Sequence, residues 1–106
     1  MIYISGRITG NKNWEKQFHK AEIFLIKKYY DERIINPLYL DEKTKQVFRT
    51  ETPTYKEYLI NDIRHLIKCT HIYMLKGWWR SKGARLERHI AKVLGLGIIY
   101  QKRGDK

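Results

Sequence analysis

The chain opens with Ile2-Tyr3-Ile4-Ser5-Gly6-Arg7-Ile8-Thr9-Gly10, a short apolar run that leads into a turn with two glycines. From about Asn13 onward, apolar residues recur at helical spacing, and lysines stand between them. A strand, a glycine turn and an amphipathic helix in this order are typical of a parallel sheet with crossover helices. The opening stretch therefore predicts an α/β fold.

The same alternation continues along the chain. Further strands are predicted over residues 33–35, 72–75 and 98–100, and further helices over about 54–67 and 81–94. Thr54 and Glu57 form a capping box at the start of the second helix, which strengthens that prediction. The predicted inward faces are Tyr55, Leu59, Ile63, Leu66 and Ile67 in the second helix, and Leu86, Ile90, Val93 and Leu94 in the third.

These elements predict one Rossmann-like, three-layer α/β/α domain over residues 1–100, with a four- to five-stranded, mainly parallel sheet. Residues 101–106 are predicted to be a polar tail. Residues 38–53 carry many charges and little periodicity, which favours a long surface loop with one helical turn or a hairpin. Four short strands and three helices give a thin core, so we expect a homodimer.

Composition limits the class of protein. The 106 residues include 22 Lys and Arg against 11 Asp and Glu, which gives a net charge of +11 and favours an anionic partner. A hydrophobic content of 42% is too high for a disordered basic tail. The single cysteine excludes an internal disulfide, and no apolar run is long enough to span a membrane. We expect a cytoplasmic protein without membrane contact.

The turn after the first strand is the first candidate site. Ligands of open α/β sheets bind beyond the carboxyl ends of the strands, where a glycine turn offers backbone N–H groups to a phosphate. Gly6 and Gly10, with Ser5, Arg7 and Thr9, fit that role. A tight turn without a ligand fits the same residues equally well, because the dinucleotide-binding glycine pattern is not present.

The stretch from Lys76 to Lys92 is a stronger candidate. Ser81 and Gly83 stand at a predicted helix N-terminus, where the helix dipole and free N–H groups favour an anion. Arg80, Lys82 and Arg85 add positive charge, and Glu87 is the only acid in the stretch; these residues mark a site for a phosphate-bearing ligand. Alternatively, Glu87 makes surface salt bridges with the neighbouring arginines.

Asp62 is a second isolated carboxylate, on the second predicted helix. Two acids near strand ends suit cleavage of a glycosidic bond, in which one carboxylate attacks the anomeric carbon and another group handles a proton. The alternative is an ion pair of Asp62 with Arg64 or Lys68. The four histidines lack metal-ligand spacing, so we expect no metal and no organic cofactor.

Several motifs, taken in order, resemble small phage and bacterial proteins of the nucleoside 2-deoxyribosyltransferase-like superfamily. They are Tyr3-Ile4-Ser5-Gly6-Arg7-Ile8-Thr9-Gly10, Asn36-Pro37, Asn61-Asp62-Ile63, Ile72-Tyr73-Met74-Leu75 with Gly77-Trp78, and Ser81-x-Gly83-Ala84-x-x-Glu87. The spacing of Tyr3, Gly6 and Gly10 and the interval from Ser81 to Glu87 are similar to those of the 2′-deoxynucleoside 5′-monophosphate N-glycosidases.

The resemblance implies a dimeric Rossmann-like enzyme without metal or cofactor, in the host cytoplasm if phage-encoded. It implies that Glu87 is the nucleophile, that Asp62 and Tyr3 act near the reacting sugar, and that Ser81 contacts phosphate. The resemblance and the two candidate loops together indicate a set of substrate-binding residues. These are Ser5, Gly6, Arg7, Ile8, Thr9, Gly10, Gly77, Trp78, Ser81 and Gly83. In relatives an acid commonly follows the Gly-Trp pair, whereas Trp79 and Arg80 follow it here.

Three hypotheses follow. The first is cleavage of the N-glycosidic bond of a 2′-deoxynucleoside 5′-monophosphate, as a hydrolase or a deoxyribosyl transferase. The second is a module that binds or sequesters a nucleotide without turnover, which the loss of the acid after Trp78 motivates. The third, from the net charge alone, is a basic nucleic-acid-binding protein.

Overall fold

The computed structural model describes residues 1–102, the side chains of residues 41 and 42 excepted. The strands are β1 (Ile2–Ser5), β2 (Ile34–Ile35), β3 (His71–Met74) and β4 (Gly97–Tyr100), and the α-helices are α1 (Trp14–Lys28), α2 (Asp41–Phe48), α3 (Tyr55–Leu66) and α4 (Lys82–Val93). The strands form one sheet in the order β2-β1-β3-β4, and every neighbouring pair is parallel. The predicted Rossmann-like α/β/α fold is confirmed.

The two faces of the sheet carry separate cores. Side chains alternate along β1, so Ile2 and Ile4 pack with Phe18 of α1, while Tyr3 packs in the other core with Leu66 of α3. The small residues of α4 join that second core. The helix α1 therefore covers one face, and α3 and α4 cover the other, which produces the three layers.

Two side-chain caps fix the beginnings of α3 and α4. Thr54 accepts a hydrogen bond from the Glu57 backbone N–H (3.2 Å), and the Glu57 carboxylate accepts one from the Thr54 N–H (2.9 Å), so the predicted capping box is present. Ser81 Oγ accepts a hydrogen bond from the Ala84 N–H (3.1 Å) at the start of α4. Both helices begin where the sequence indicates.

The predicted surface loop over residues 38–53 is wrong, because a short 3-10 turn at Pro37–Tyr39 and the helix α2 occupy most of it. A buried polar network holds α2 in place. Asn61 Nδ2 of α3 donates to Thr44 Oγ1 (3.0 Å), and Thr44 donates in turn to the Leu40 carbonyl (3.0 Å). Local periodicity cannot reveal a helix that is held by such tertiary contacts.

The predicted inward faces of the last two helices need correction. In α4 the buried residues are Ala84, Glu87 and Ala91, whereas Leu86, Val93 and Leu94 are 39%, 71% and 52% exposed and Ile90 is partly buried. In α3 the buried residues are Asn61 and Leu66, Leu59 and Ile63 are half-buried, and Tyr55 and Ile67 are exposed. The two alanines let α4 approach the sheet closely, and this turns its larger apolar side chains outward.

The polar tail begins later than predicted. The Gln101 backbone N–H donates to the Met74 carbonyl (2.8 Å), and the Gln101 side chain accepts from the Lys76 N–H (2.9 Å). These bonds attach the residue after β4 to the end of β3. The rest of the predicted tail, apart from Lys102, lies outside the described residues.

Candidate functional site

A cavity of about 680 Å³ lies at the carboxyl ends of β1 and β3. Its wall consists of Gly6, Arg7, Ile8, Thr9, Trp14, Pro37, Tyr55, Tyr58, Leu59, Asp62, Arg80, Ser81, Lys82, Gly83, Ala84 and Glu87. The volume falls in the range of small-molecule sites, about 300–1,000 Å³. The position is the one at which open parallel sheets bind ligands.

Glu87 is the chemically distinctive group of the cavity. Its carboxylate accepts a hydrogen bond from the Tyr3 hydroxyl at Oε2 (2.6 Å) and one from the Ser5 hydroxyl at Oε1 (2.7 Å). The residue is 6% exposed, and Tyr3 and Ser5 are buried beneath it on β1. Two strand residues therefore fix the orientation of one carboxylate that faces the cavity.

Burial changes the acidity of this pair. Desolvation raises the pKa of the Glu87 carboxyl to about 7, although the hydrogen bonds from Tyr3 and Ser5 act in the opposite direction. Burial and the neighbouring Glu87 charge raise the pKa of Tyr3 well above 10, so the phenol keeps its proton and remains a donor. Near neutral pH Glu87 is therefore present in both its acid and its ionised form, and the ionised form is the one that can act as a base or a nucleophile.

We expect Tyr3→Phe and Ser5→Ala each to raise the pKa of Glu87 further, because each removes a hydrogen bond that stabilises the carboxylate. The titration midpoint of Glu87, measured by carboxyl ¹³C NMR, should move to higher pH in both variants. Tyr58→Phe is the matched control, since Tyr58 lines the cavity but makes no hydrogen bond to Glu87. An unchanged midpoint in Tyr3→Phe and Ser5→Ala would contradict this assignment.

The beginning of α4 forms a second part of the cavity. Ser81 Oγ caps the helix, its hydroxyl proton can still be donated, and the first N–H groups of α4 have no intrahelical acceptor. Lys82 and Gly83 line the cavity beside it. Hydroxyl, backbone N–H groups, helix dipole and ammonium together suit a phosphate.

The remaining wall is largely aromatic and apolar. Trp14 at the start of α1 and Tyr55 and Tyr58 of α3 line the cavity together with Ile8 and Leu59. Trp14 packs edge-to-face on Phe18 of the core, with ring centroids 5.7 Å apart, so its ring is supported from behind. Such a wall offers flat apolar surface to a planar group such as a nucleobase.

Most of the predicted site residues meet at this cavity. Gly6, Arg7, Ile8, Thr9, Asp62, Ser81, Gly83 and Glu87 line it, and Tyr3 and Ser5 reach it through Glu87. Gly10, Gly77 and Trp78 are not among the lining residues. Ser5 contacts the predicted nucleophile rather than open cavity.

Trp78 belongs to a different cluster. The Arg88 guanidinium lies 5.0 Å from the Trp78 ring centroid, and Arg88 Nε donates to the Tyr100 hydroxyl (2.7 Å). The Trp78 and Tyr100 rings are 6.1 Å apart, so the three side chains pack together. Its neighbour Arg80 lines the cavity instead.

Sequence reasoning missed the aromatic part of the lining: Trp14, Tyr55 and Tyr58. These residues stand near the starts of α1 and α3, and only the placement of the two helices relative to the loop after β1 brings them together. The position of these residues in the sequence was the one signal that could have predicted them, because both helices begin close to the carboxyl edge of the sheet.

The described part of the chain contains no group of three or more His, Cys, Asp or Glu side chains that could hold a metal ion. Within residues 1–102, no helix has the length and apolarity that crossing a bilayer requires.

The chain is a Rossmann-like α/β/α domain with a cavity of small-molecule size at the carboxyl edge of its sheet. Comparison with protein families adds that residues 1–100 match the model of a domain of unknown function, DUF4406, and the chain belongs to this family. Comparisons with curated proteins and with solved structures give no match.

Proposed function

We propose that the protein cleaves the N-glycosidic bond of a 2′-deoxynucleoside 5′-monophosphate in the cytoplasm. The single observation that carries the proposal is the buried Glu87 carboxylate, held by the Tyr3 and Ser5 hydroxyls at the wall of a nucleotide-sized cavity. The motif resemblance from Tyr3 to Glu87 supports the same chemistry. No other described side chain of the cavity combines a carboxylate with this degree of burial.

In the proposed reaction, ionised Glu87 attacks C1′ of the deoxyribose while the bond from C1′ to the base nitrogen breaks. The bonding electrons leave with the base, which takes up a proton, and Asp62 is the group proposed to position or exchange it. Water then attacks C1′ as the bond to Glu87 breaks, leaves a hydroxyl on the sugar and gives its proton to Asp62, so both carboxyl groups return to their starting forms. A second base in place of water makes the reaction a transfer.

The spacing along α4 supports the position of the phosphate. Ser81 and Glu87 are six positions apart, which corresponds to about 9 Å of helix rise. This spacing allows one deoxyribose 5-phosphate to lie along the helix, with its phosphate at Ser81 and its C1′ near Glu87. Attack requires the carboxylate oxygen to approach C1′ to about 3–3.5 Å.

The test is a base-release assay with each of the four deoxynucleoside 5′-monophosphates, the matching nucleosides and the matching ribonucleotides. We expect free base from at least one deoxynucleotide, and we expect Ser81→Ala to raise KM for nucleotides more than for nucleosides. Thr52→Ala is a matched control, because Thr52 is exposed and outside the cavity. If no substrate releases base, the proposed activity is wrong.

A second candidate, nucleotide binding without turnover, is favoured by one feature. Arg80 lines the cavity in the segment after Gly77-Trp78, where the relatives that the chain resembles commonly have an acid. A guanidinium binds phosphate well, but it is a poor proton donor to a leaving base, because guanidinium groups keep their proton in proteins. Calorimetric binding of a nucleotide that is never cleaved would support this candidate against the first.

We also propose that the protein is a homodimer that covers the exposed apolar side of α4, where Leu86, Val93 and Leu94 lie. Val93→Asp should convert the dimer to a monomer, because it places a charge in the interface. Sedimentation velocity measures the change, and Lys92→Asp on the neighbouring polar side is the control. A wild-type monomer at high concentration would contradict the dimer.

A further inference from the structure

The cavity carries more positive charge than the proposed monophosphate needs. Arg7, Arg80 and Lys82 all line it; Arg7 lies in the loop after β1, Arg80 in the 3-10 turn after β3 and Lys82 at the start of α4. Among the described residues, none of the three forms a salt bridge with a carboxylate. Arg80 and Lys82 are solvent-exposed and Arg7 is half-buried, so all three charges are accessible to an anionic ligand in the cavity.

Arg7 is held in place by its own loop. Its carbonyl accepts a hydrogen bond from Asn11 Nδ2 (3.0 Å), and Asn11 also donates to the Gln17 side chain (2.9 Å). The guanidinium lies against Gly10, where an added Cβ would be 2.9 Å from Arg7 Nη2. Gly10 has a positive φ of 77°, so the turn favours glycine there both for its backbone and for the space that Arg7 occupies.

Arg80 reaches the cavity through the 3-10 turn over Trp78–Arg80. The Arg80 N–H donates to the carbonyl of Gly77 (3.0 Å), whose φ of 83° sets up the turn. At one end of the turn, Trp78 packs against Arg88 and Tyr100. At the other end, Arg80 lines the cavity. Gln17 of α1 connects this segment to the loop of Arg7. Its Nε2 donates to the Lys76 carbonyl (3.3 Å), and its Oε1 accepts from Asn11 in that loop.

One phosphate monoester has three terminal oxygens. The Ser81 hydroxyl, the first N–H groups of α4 and the Lys82 ammonium supply donors for these three. The guanidinium groups of Arg7 and Arg80 are then left for further oxygens, and their paired N–H donors match phosphate oxygens bidentately.

We propose that the cavity binds a deoxynucleoside 5′-diphosphate more tightly than the monophosphate, with Arg7 and Arg80 on the second phosphate. The inference rests on the proposed function, because it assumes that the first phosphate lies at Ser81. It gives a binding role to Arg7 and Arg80, which have no phosphate oxygen to bind when the ligand is a monophosphate.

The experiment is titration calorimetry of Glu87→Gln protein, which prevents turnover, with the mono- and diphosphates of the same deoxynucleoside. We expect the diphosphate to bind at least about tenfold more tightly, as one further charge-assisted contact would give. Arg7→Ala and Arg80→Ala should each lower diphosphate affinity more than monophosphate affinity and so remove most of this gain. Lys92→Ala, a cation on α4 outside the cavity, should leave the gain intact.

Four results would overturn the inference. Equal or tighter binding of the monophosphate excludes a second phosphate subsite, while nucleotide binding itself still supports the proposed function. If Lys92→Ala reduces the preference for the diphosphate as much as Arg7→Ala does, the preference comes from general attraction by the charged surface. Tighter binding of a 5′-phosphorylated dinucleotide than of the diphosphate assigns the arginines to a nucleic-acid strand instead. If neither mono- nor diphosphate binds, the proposed function fails together with the inference.

Discussion

Glu87→Gln should lose at least about 10³-fold of the base-release activity, because the amide cannot form the proposed covalent bond to C1′. Affinity for the deoxynucleotide should stay within about threefold, since the phosphate end of the cavity at Ser81 is unchanged. The measurement is kcat by chromatography of free base, with Kd from calorimetry on the same variant. A loss confined to kcat identifies Glu87 as a residue of the chemical step.

Glu51→Gln is the matched control for this variant, because Glu51 is an exposed acid that does not line the cavity. It should retain wild-type kcat. If Glu87→Gln keeps more than about a tenth of the wild-type rate, nucleophilic attack by Glu87 is excluded and the carboxylate has a structural role.

The second large effect concerns stability. The pKa of Glu87 is raised by burial to about 7, against 4.5 in the unfolded chain. Between these values the unfolded state loses the proton and the folded state keeps it, so this group makes the fold less stable as the pH rises from about 4.5 to about 7. The loss amounts to about 3 kcal/mol at 1.36 kcal/mol per pKa unit, and it is complete above pH 7.

Glu87→Gln isolates this contribution, because all other titrating groups are shared with the wild type. The free energy of unfolding of the variant minus that of the wild type should increase by about 3 kcal/mol from pH 4 to pH 8. Urea unfolding at each pH measures the difference. Glu51→Gln should show no such trend, and a flat or falling difference for Glu87→Gln would contradict the raised pKa.

The sequence predicts the fold well because each β–α unit carries its own signal. The run from Ile2 to Gly10 contains a strand and its turn, and the caps at Thr54 and Ser81 mark two helix starts. The helix α2 has no such signal, because Thr44 and Asn61 stabilise it only when α3 is already beside it. Short polar helices of this kind depend on tertiary contacts that local patterns do not contain.

The site was predictable in its composition but not in its contacts. Glu87 stands out as the only acid in a cationic stretch, yet its inward orientation is hidden because Leu86 and Val93 form the more obvious apolar stripe. The approach of Tyr3 and Ser5 to Glu87 joins residues more than 80 positions apart. Only the packing of α4 on β1 creates that contact.

The central claim is that Glu87 attacks the sugar, and trapping the covalent intermediate tests it most directly. A 2′-fluoro-2′-deoxynucleotide should slow both steps, because fluorine at C2′ disfavours positive charge at C1′, and it should allow the glycosyl-enzyme to accumulate. Intact-protein mass spectrometry should then show one added fluorodeoxyribose phosphate, and peptide mapping should locate it on Glu87. Release of free base with the sugar attached to another residue, or with no adduct at any time point, would contradict the claim.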